Sequence, residues 1–263
     1  MTDPWRVPLL LYHGVSDDAT EGFRPYNITT AAFAAHLDAI QDAGFRTVTV
    51  SEMVAQMDAD PADQDRSCLA ITFDDGFQDF ATNALPLLRA RGMRSTIYIT
   101  TGYVGDTSRW LDRLGEGGRA MLTWEDIAGL GDDVELGAHT HQHPELDAVS
   151  RARARDEIVE SRRVLAEATG RPIDAFAYPH GYSDRTVRRL VADAGFTSAT
   201  AANHAIARCD DDRFRISRIV VDGDTTPDAL LRMIQEIGPA PRREALRTKG
   251  WRAARRLRAL ART

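Results

Sequence analysis

Two cysteines in 263 residues, Cys68 and Cys209, stand far apart and in no metal-ligand spacing. They exclude a disulfide framework and a thiolate-built zinc site, and they read as reduced thiols. No run approaches the ~20 apolar residues that a membrane-spanning helix requires. The opening 1-MTDPWRVPLLLYHGV-15 lacks a basic stretch, carries Asp3 and has a short apolar run. It does not read as a secretory signal, so a cytoplasmic location is the expectation. A glycine-rich phosphate loop is also missing, which counts against a nucleotide-binding fold.

Net charge is unevenly spread along the chain. Residues 241–263 carry nine Lys or Arg against Glu244, a net +8, which leaves -14 on the first 240 of a chain whose total is -6. An acidic body argues against nucleic-acid partners. The expected organisation is a catalytic unit over 1–240 and a basic tail over 241–263. After the linker 238-GPAP-241, Leu246, Gly250, Ala253, Leu257 and Leu260 fall on one helical stripe among arginines. Such a helix can rest on an anionic membrane at its inner face and present the body to a lipid-linked sugar. Docking on the acidic body, or a solvated tail, fits the pattern equally.

What the chain has in abundance is alternation. Strand-like runs at 7–13, 45–50, 68–75, 94–100, 134–139, 175–180, 196–200 and 215–221 are nearly continuous in apolar residues, as suits strands buried on both faces. Helical patterns over 31–44, 77–91, 124–130, 149–169, 183–194 and 226–237 lie between them. Eight strands alternating with helices predict an α/β fold, a distorted (β/α) barrel of the TIM type, with an open doubly wound sheet as the alternative.

A parallel barrel gathers its chemistry at the C-terminal ends of its strands. The unusual polar residues fall there: His13 after the first run, Asp74 and Asp75 after the third, His139 after the fifth, and Tyr178-Pro179-His180 after the sixth. Two adjacent carboxylates repel each other and need a cation if both are buried and ionised. The stretch 137-GAHTHQHPEL-146 places three of the chain's seven histidines within five residues. On a helical turn His139 and His143 share a face and can bind one metal while His141 points elsewhere; on an extended segment all three share a side. Histidines clustered on a surface without metal, and carboxylates in a plain turn, are the bland alternatives.

The order Thr72-Phe73-Asp74-Asp75-Gly76, then His139-Thr140-x-x-His143, then Phe176-Ala177-Tyr178-Pro179-His180-Gly181 resembles the polysaccharide deacetylases, with their NodB homology domain, of carbohydrate esterase family 4. The opening Leu11-Tyr12-His13-Gly14-Val15 and the segment Leu122-Thr123-Trp124 extend the resemblance to about residues 7–237. It implies a NodB-like deacetylase barrel and one divalent metal ion, zinc first, with cobalt, nickel or manganese as alternatives. Carried over, Asp75, His139 and His143 are the metal ligands and Asp74 the general base. Tyr178, Pro179 and His180 line the substrate site, with the His180 N–H facing the oxyanion. The implied reaction removes an N-acetyl group from an amino sugar, an oligosaccharide or a lipid-linked glycan intermediate.

The chain departs from the family at three places. Ala177 stands where an arginine commonly orients the base, His180 stands where an aromatic residue is usual, and no Leu-x-His motif occurs near the C-terminus. The departing amine nevertheless needs a proton, and histidine titrates in the right range. Of His13, His180 and His204, the strand-end position favours His13 as the general acid. The same machinery could act on a non-sugar C–N bond, or survive as a glycan-binding module without catalysis. Intact Asp74, Asp75, His139 and His143 weigh against the latter.

Overall fold

The computed structural model describes residues 5–60 and 62–239. The tail expected over 241–263 lies outside these residues.

Eight parallel strands form one curled sheet: β1 Leu9–Tyr12, β2 Arg46–Val48, β3 Cys68–Phe73, β4 Ser95–Ile99, β5 Val134–Ala138, β6 Ala175–Ala177, β7 Ser198–Thr200 and β8 Ile219–Val220. Their order is β7-β6-β5-β4-β3-β1-β8, with β2 pairing the first half of β3. The ends of this path come together. Ile216 bridges Thr200 of β7, and three residues on, Ile219 and Val220 lie against Leu10 and Leu11 of β1. The result is the distorted barrel expected from the alternation, and not an open sheet.

The eighth strand is shorter than the run 215–221 suggests. Ile216 is tied to β7 through Ala199 and Ala201, whereas Ile219 and Val220 belong to β1. One segment thus spans the closing gap and bends between two neighbours.

Period-two alternation sorts the strand residues. Leu10, Tyr12, Leu69, Ile71, Phe73, Ile97 and Ile99 pack in the layer beneath the helices, with Phe33 and Leu37 among them. Leu9, Ala70, Tyr98, Ala175 and Ala177 pack together on the opposite, inner face. The inner positions therefore continue Ala70, Thr72, Asp74 along the third strand and Gly137, His139 along the fifth. Gly137 must be glycine, because a Cβ there would lie 2.5 Å from the Tyr98 ring.

The helices are set by caps at their starts. Helix α1, Thr30–Asp42, begins where the Thr29 hydroxyl accepts from Ala32 N–H and buries Phe33, His36, Leu37 and Ile40, one stripe at helical spacing. Helix α2, Val50–Met57, was not among the predicted helices, although Thr49 and Glu52 form a full capping box. The helix expected over 77–91 divides into a wide π-type turn, Phe80–Ala84, and α3, Leu85–Arg89. Pro86 lacks the N–H that a regular α-helical ladder would need there. Helices α4 Trp124–Ala128, α5 Arg151–Thr169, α6 Arg185–Asp193 and α7 Pro227–Glu236 complete the outer layer.

Candidate active site

The inner-face alternation brings Asp74 and His139 to the mouth of the barrel, each one residue past the last ladder pair. Asp74 N–H still bonds to Tyr12 O, and His139 N–H to Ile99 O, so both backbones are fixed by neighbouring strands. Beyond them the chain turns sharply. Asp75 has φ 75°, Thr140 67°, His143 56° and His180 58°. Among the described residues only one other non-glycine, His204, has positive φ. Such conformations cost ~1–3 kcal/mol each and persist where the surroundings over-determine them, so their concentration at one mouth marks a functional site.

The five-residue histidine stretch is neither a helical turn nor extended. Thr140 Oγ1 accepts from His143 N–H at 3.0 Å and folds the loop back on itself. His143 is thereby returned to the side of His139, their ring centres 5.0 Å apart. His141 goes the other way. Its backbone N–H bonds to Glu157 and its Nδ1 lies 3.0 Å from Thr101 Oγ1, so it braces the loop against α5.

Asp75, His139 and His143 each offer one ligand atom, and these atoms lie within 4.8 Å of one another. His143 Nε2 is 3.1 Å and His139 Nε2 3.5 Å from Asp75 Oδ1. That carboxylate oxygen is buried and lacks a hydrogen-bond donor. His139 Nδ1 lies 2.8 Å from the Ala177 carbonyl, which fixes Nδ1 as the protonated nitrogen and leaves Nε2 as a lone pair facing the carboxylates. Burial pushes His139 down to about 4, so the ring is neutral at pH 7. A neutral imidazole anchored through its far nitrogen, a second imidazole and an orphaned carboxylate oxygen fit a divalent cation with borderline donor preference.

Asp74 is held by a residue that lies outside the sequence motifs. Arg218 is fully buried, and its two terminal nitrogens donate to the two Asp74 oxygens at 2.6 and 2.7 Å. The remaining guanidinium donors reach Thr72 Oγ1 and the Ala201 carbonyl. The guanidinium lies over the Tyr98 ring, 5.5 Å from its centre. Burial raises the Asp74 carboxyl, but the charge and hydrogen bonds of Arg218 do most to outweigh burial and hold it below the usual carboxylate range. Asp75 is likewise pushed up by burial and drawn further down by His143. Both carboxylates are ionised at neutral pH. The signal for Arg218 was present: it is the one charge in the apolar run Ile216-Ser217-Arg218-Ile219-Val220-Val221.

The pocket above these groups has a volume of about 250 Å³ and is lined by Asp74, Asp75, His13, His139, His143 and His180 at its polar end. His13 lies edge-on to Tyr26 with ring centres 5.5 Å apart, and its buried Nδ1 has no hydrogen-bond partner. His204 is exposed, outside the pocket, and its Nδ1 accepts from Val220 N–H. Tyr178 is buried with its hydroxyl on Phe214 O, so its side chain shapes the loop and not the cavity. Pro179 and His180 form the turn that follows. Trp110, which sequence patterning did not single out, stacks on His143 at 5.1 Å.

Residues 62–199 match the family described as polysaccharide deacetylase. A protein of Bacillus subtilis (strain 168), YxkH, whose name places it among the polysaccharide deacetylases, is 22% identical over 219 residues, 83% of this chain and 72% of its own. The deacetylase PplD of Streptococcus pyogenes, solved with acetate, superposes with a TM-score of 0.74 at 23% identity over 88% of this chain and 99% of its own. IcaB from Ammonifex degensii gives 0.71 at 22% identity over 88% and 96%. These structural likenesses show a shared fold, and the profile match, which covers more than half of the sequence, shows that this chain belongs to the polysaccharide deacetylase family.

Proposed function

We propose that this protein is a metal-dependent hydrolase that removes the N-acetyl group from an amino sugar or its oligomer. The observation that carries the reading is the adjacency of the ligand group Asp75, His139 and His143 to an ionised Asp74 clamped by Arg218. Zinc is the metal of choice for two imidazoles and one carboxylate. When bound, the ion supplies Lewis acidity toward the amide carbonyl and acidifies water.

This chain's residues supply the proton chemistry. Asp74 takes the proton of the attacking water while a C–O bond forms at the acetyl carbon. Arg218 keeps that carboxylate charged and aimed in a fully buried setting. The His180 N–H donates to the developing oxyanion, and the turn Tyr178-Pro179-His180 fixes its direction. His13 gives its proton to the nitrogen as the C–N bond breaks, leaving a free amine and acetate. Acetate is the ligand found in the related Streptococcus pyogenes deacetylase.

Acetate release from N-acetylglucosamine and its oligomers, with metal content measured on the same preparation, tests the reading. Asp74→Asn is expected to keep the metal and abolish release. A wild-type protein that releases no acetate from any of them would overturn the proposal.

A further inference from the structure

Rings line most of the pocket, with Leu111 and Leu114 beside them, and Phe77 backs Phe23 and Trp110 from outside the lining. On one side Tyr26 meets Phe23 at 5.9 Å between centres, Phe23 meets Phe77 at 5.6 Å, and Phe77 meets Trp110 at 6.4 Å. From Trp110 the belt continues through His143 at 5.1 Å and His180 at 4.9 Å to Tyr182 at 5.8 Å. At its other end Tyr26 touches His13. The stretch between Tyr182 and His13 has no large ring and is lined by Gly181, Ala202, Leu11 and Val220.

The wall is fastened. Arg119 donates to Asp79, Glu116, Ser16 and Asn27, and so joins the loop after β1, the segment after β3 and the insertion after β4 that carries Trp110. Its guanidinium lies over Phe23 at 4.9 Å and Phe77 at 5.4 Å. Thr20 Oγ1 donates to Leu114 O and ties the two loops again. A guanidinium with partners from three segments holds these side chains in one arrangement, which makes the pocket preformed.

A polymer bound through an interior residue needs two exits on opposite sides of the catalytic groups. The lining has its smallest residues, Gly181 and Ala202, together on one side, which leaves one low side. The volume of about 250 Å³ falls below the ~300–1,000 Å³ typical of drug-sized ligands, and suits one pyranose with its N-acetyl arm. Three buried nitrogens in the wall have no partner, His13 Nδ1, His143 Nδ1 and Trp110 Nε1. Trp110 Nε1 can donate to a ring hydroxyl, while the exposed Tyr26 ring can meet the C–H side of the sugar.

We propose that the pocket admits a single terminal or free N-acetylated hexosamine, and excludes residues in the interior of a glycan chain. The inference rests on the deacetylase reading above. Oligomers of N-acetylglucosamine from one to six residues, labelled at one end, are incubated with metal-loaded protein and sequenced by mass spectrometry. Loss of acetyl from one terminal residue only, with kcat/KM level from dimer to hexamer, is expected. Interior deacetylation, or kcat/KM climbing with chain length, would overturn the proposal while leaving the deacetylase reading intact. Release from none of the oligomers would overturn both. Trp110→Ala breaches the belt and is expected to add interior products with metal content unchanged. A pattern still confined to the terminus in that variant would overturn the belt as the cause.

Discussion

Arg218 and Asp74 meet through two parallel hydrogen bonds, 2.6 and 2.7 Å long, with both side chains withdrawn from solvent. Ala177, at the end of β6, has no charge to offer the base, and Arg218 supplies one from the closing segment. Arg218→Lys keeps a positive charge but loses the fork. Burial then acts on Asp74 with weaker opposition, so its pKa rises. The acid limb of the kcat/KM profile is expected to move to higher pH, with a fall in kcat of about tenfold or more for ~1.4 kcal/mol of lost stabilisation. Arg218→Met strips a buried carboxylate of its partner and should cost ~3–5 kcal/mol in urea unfolding. An unmoved acid limb in the lysine variant would show that Arg218 only fills space.

The two loop histidines separate cleanly by substitution. His143→Ala should abolish stoichiometric metal, read by elemental analysis, because it removes one of three ligands. His141→Ala should retain it, since that ring bonds Thr101 on the far side of the loop. Equal loss in both variants would restore the three-histidine geometry that the sequence left open.

His13 faces the pocket with an unpaired Nδ1, as an amine-protonating acid must. His13→Ala is expected to lower kcat strongly at constant metal content and to flatten the basic limb of the pH–rate profile, which reports loss of the acid's proton. Should His180→Ala flatten that limb while His13→Ala preserves it, the acid is His180.

His36 gives a prediction about stability. It is fully buried in α1, its Nδ1 3.0 Å from the Tyr12 hydroxyl and its Nε2 2.8 Å from Thr225 O. Burial lowers its pKa more than the Thr225 carbonyl raises it, so the fold favours the neutral ring. The unfolded chain therefore binds more protons below the ordinary value of about 6.5. The contribution of His36 is full above that pH and is lost as pH falls, at a limiting slope of about 1.4 kcal/mol per pH unit. Urea unfolding of wild type and His36→Gln across pH 5 to 8 should show the wild type losing more stability on the acid side. Parallel curves would mean that His36 titrates alike in the folded and unfolded states.

Eight strands, most of the helices and the strand ends at which polar residues emerge were legible in the amino-acid order alone. Each of these is a local pattern: alternation along Ala70, Thr72 and Asp74, a Thr cap before α1, an apolar stripe at helical spacing. Local patterns report which face a residue takes, and in a parallel barrel the face and the strand end together give the site. They do not report distance between elements. Only closure of the barrel, with Ile216 on β7 and Ile219 on β1, carries Arg218 across to Asp74, 144 residues away in the chain. Only the Thr140 turn decides that His143 returns to the ligand group and His141 leaves it. The wall through Trp110, fixed by Arg119 from three separate loops, is likewise a product of packing. Its residues have no periodicity that a sequence pattern could carry, because what selects them is one another's position in space.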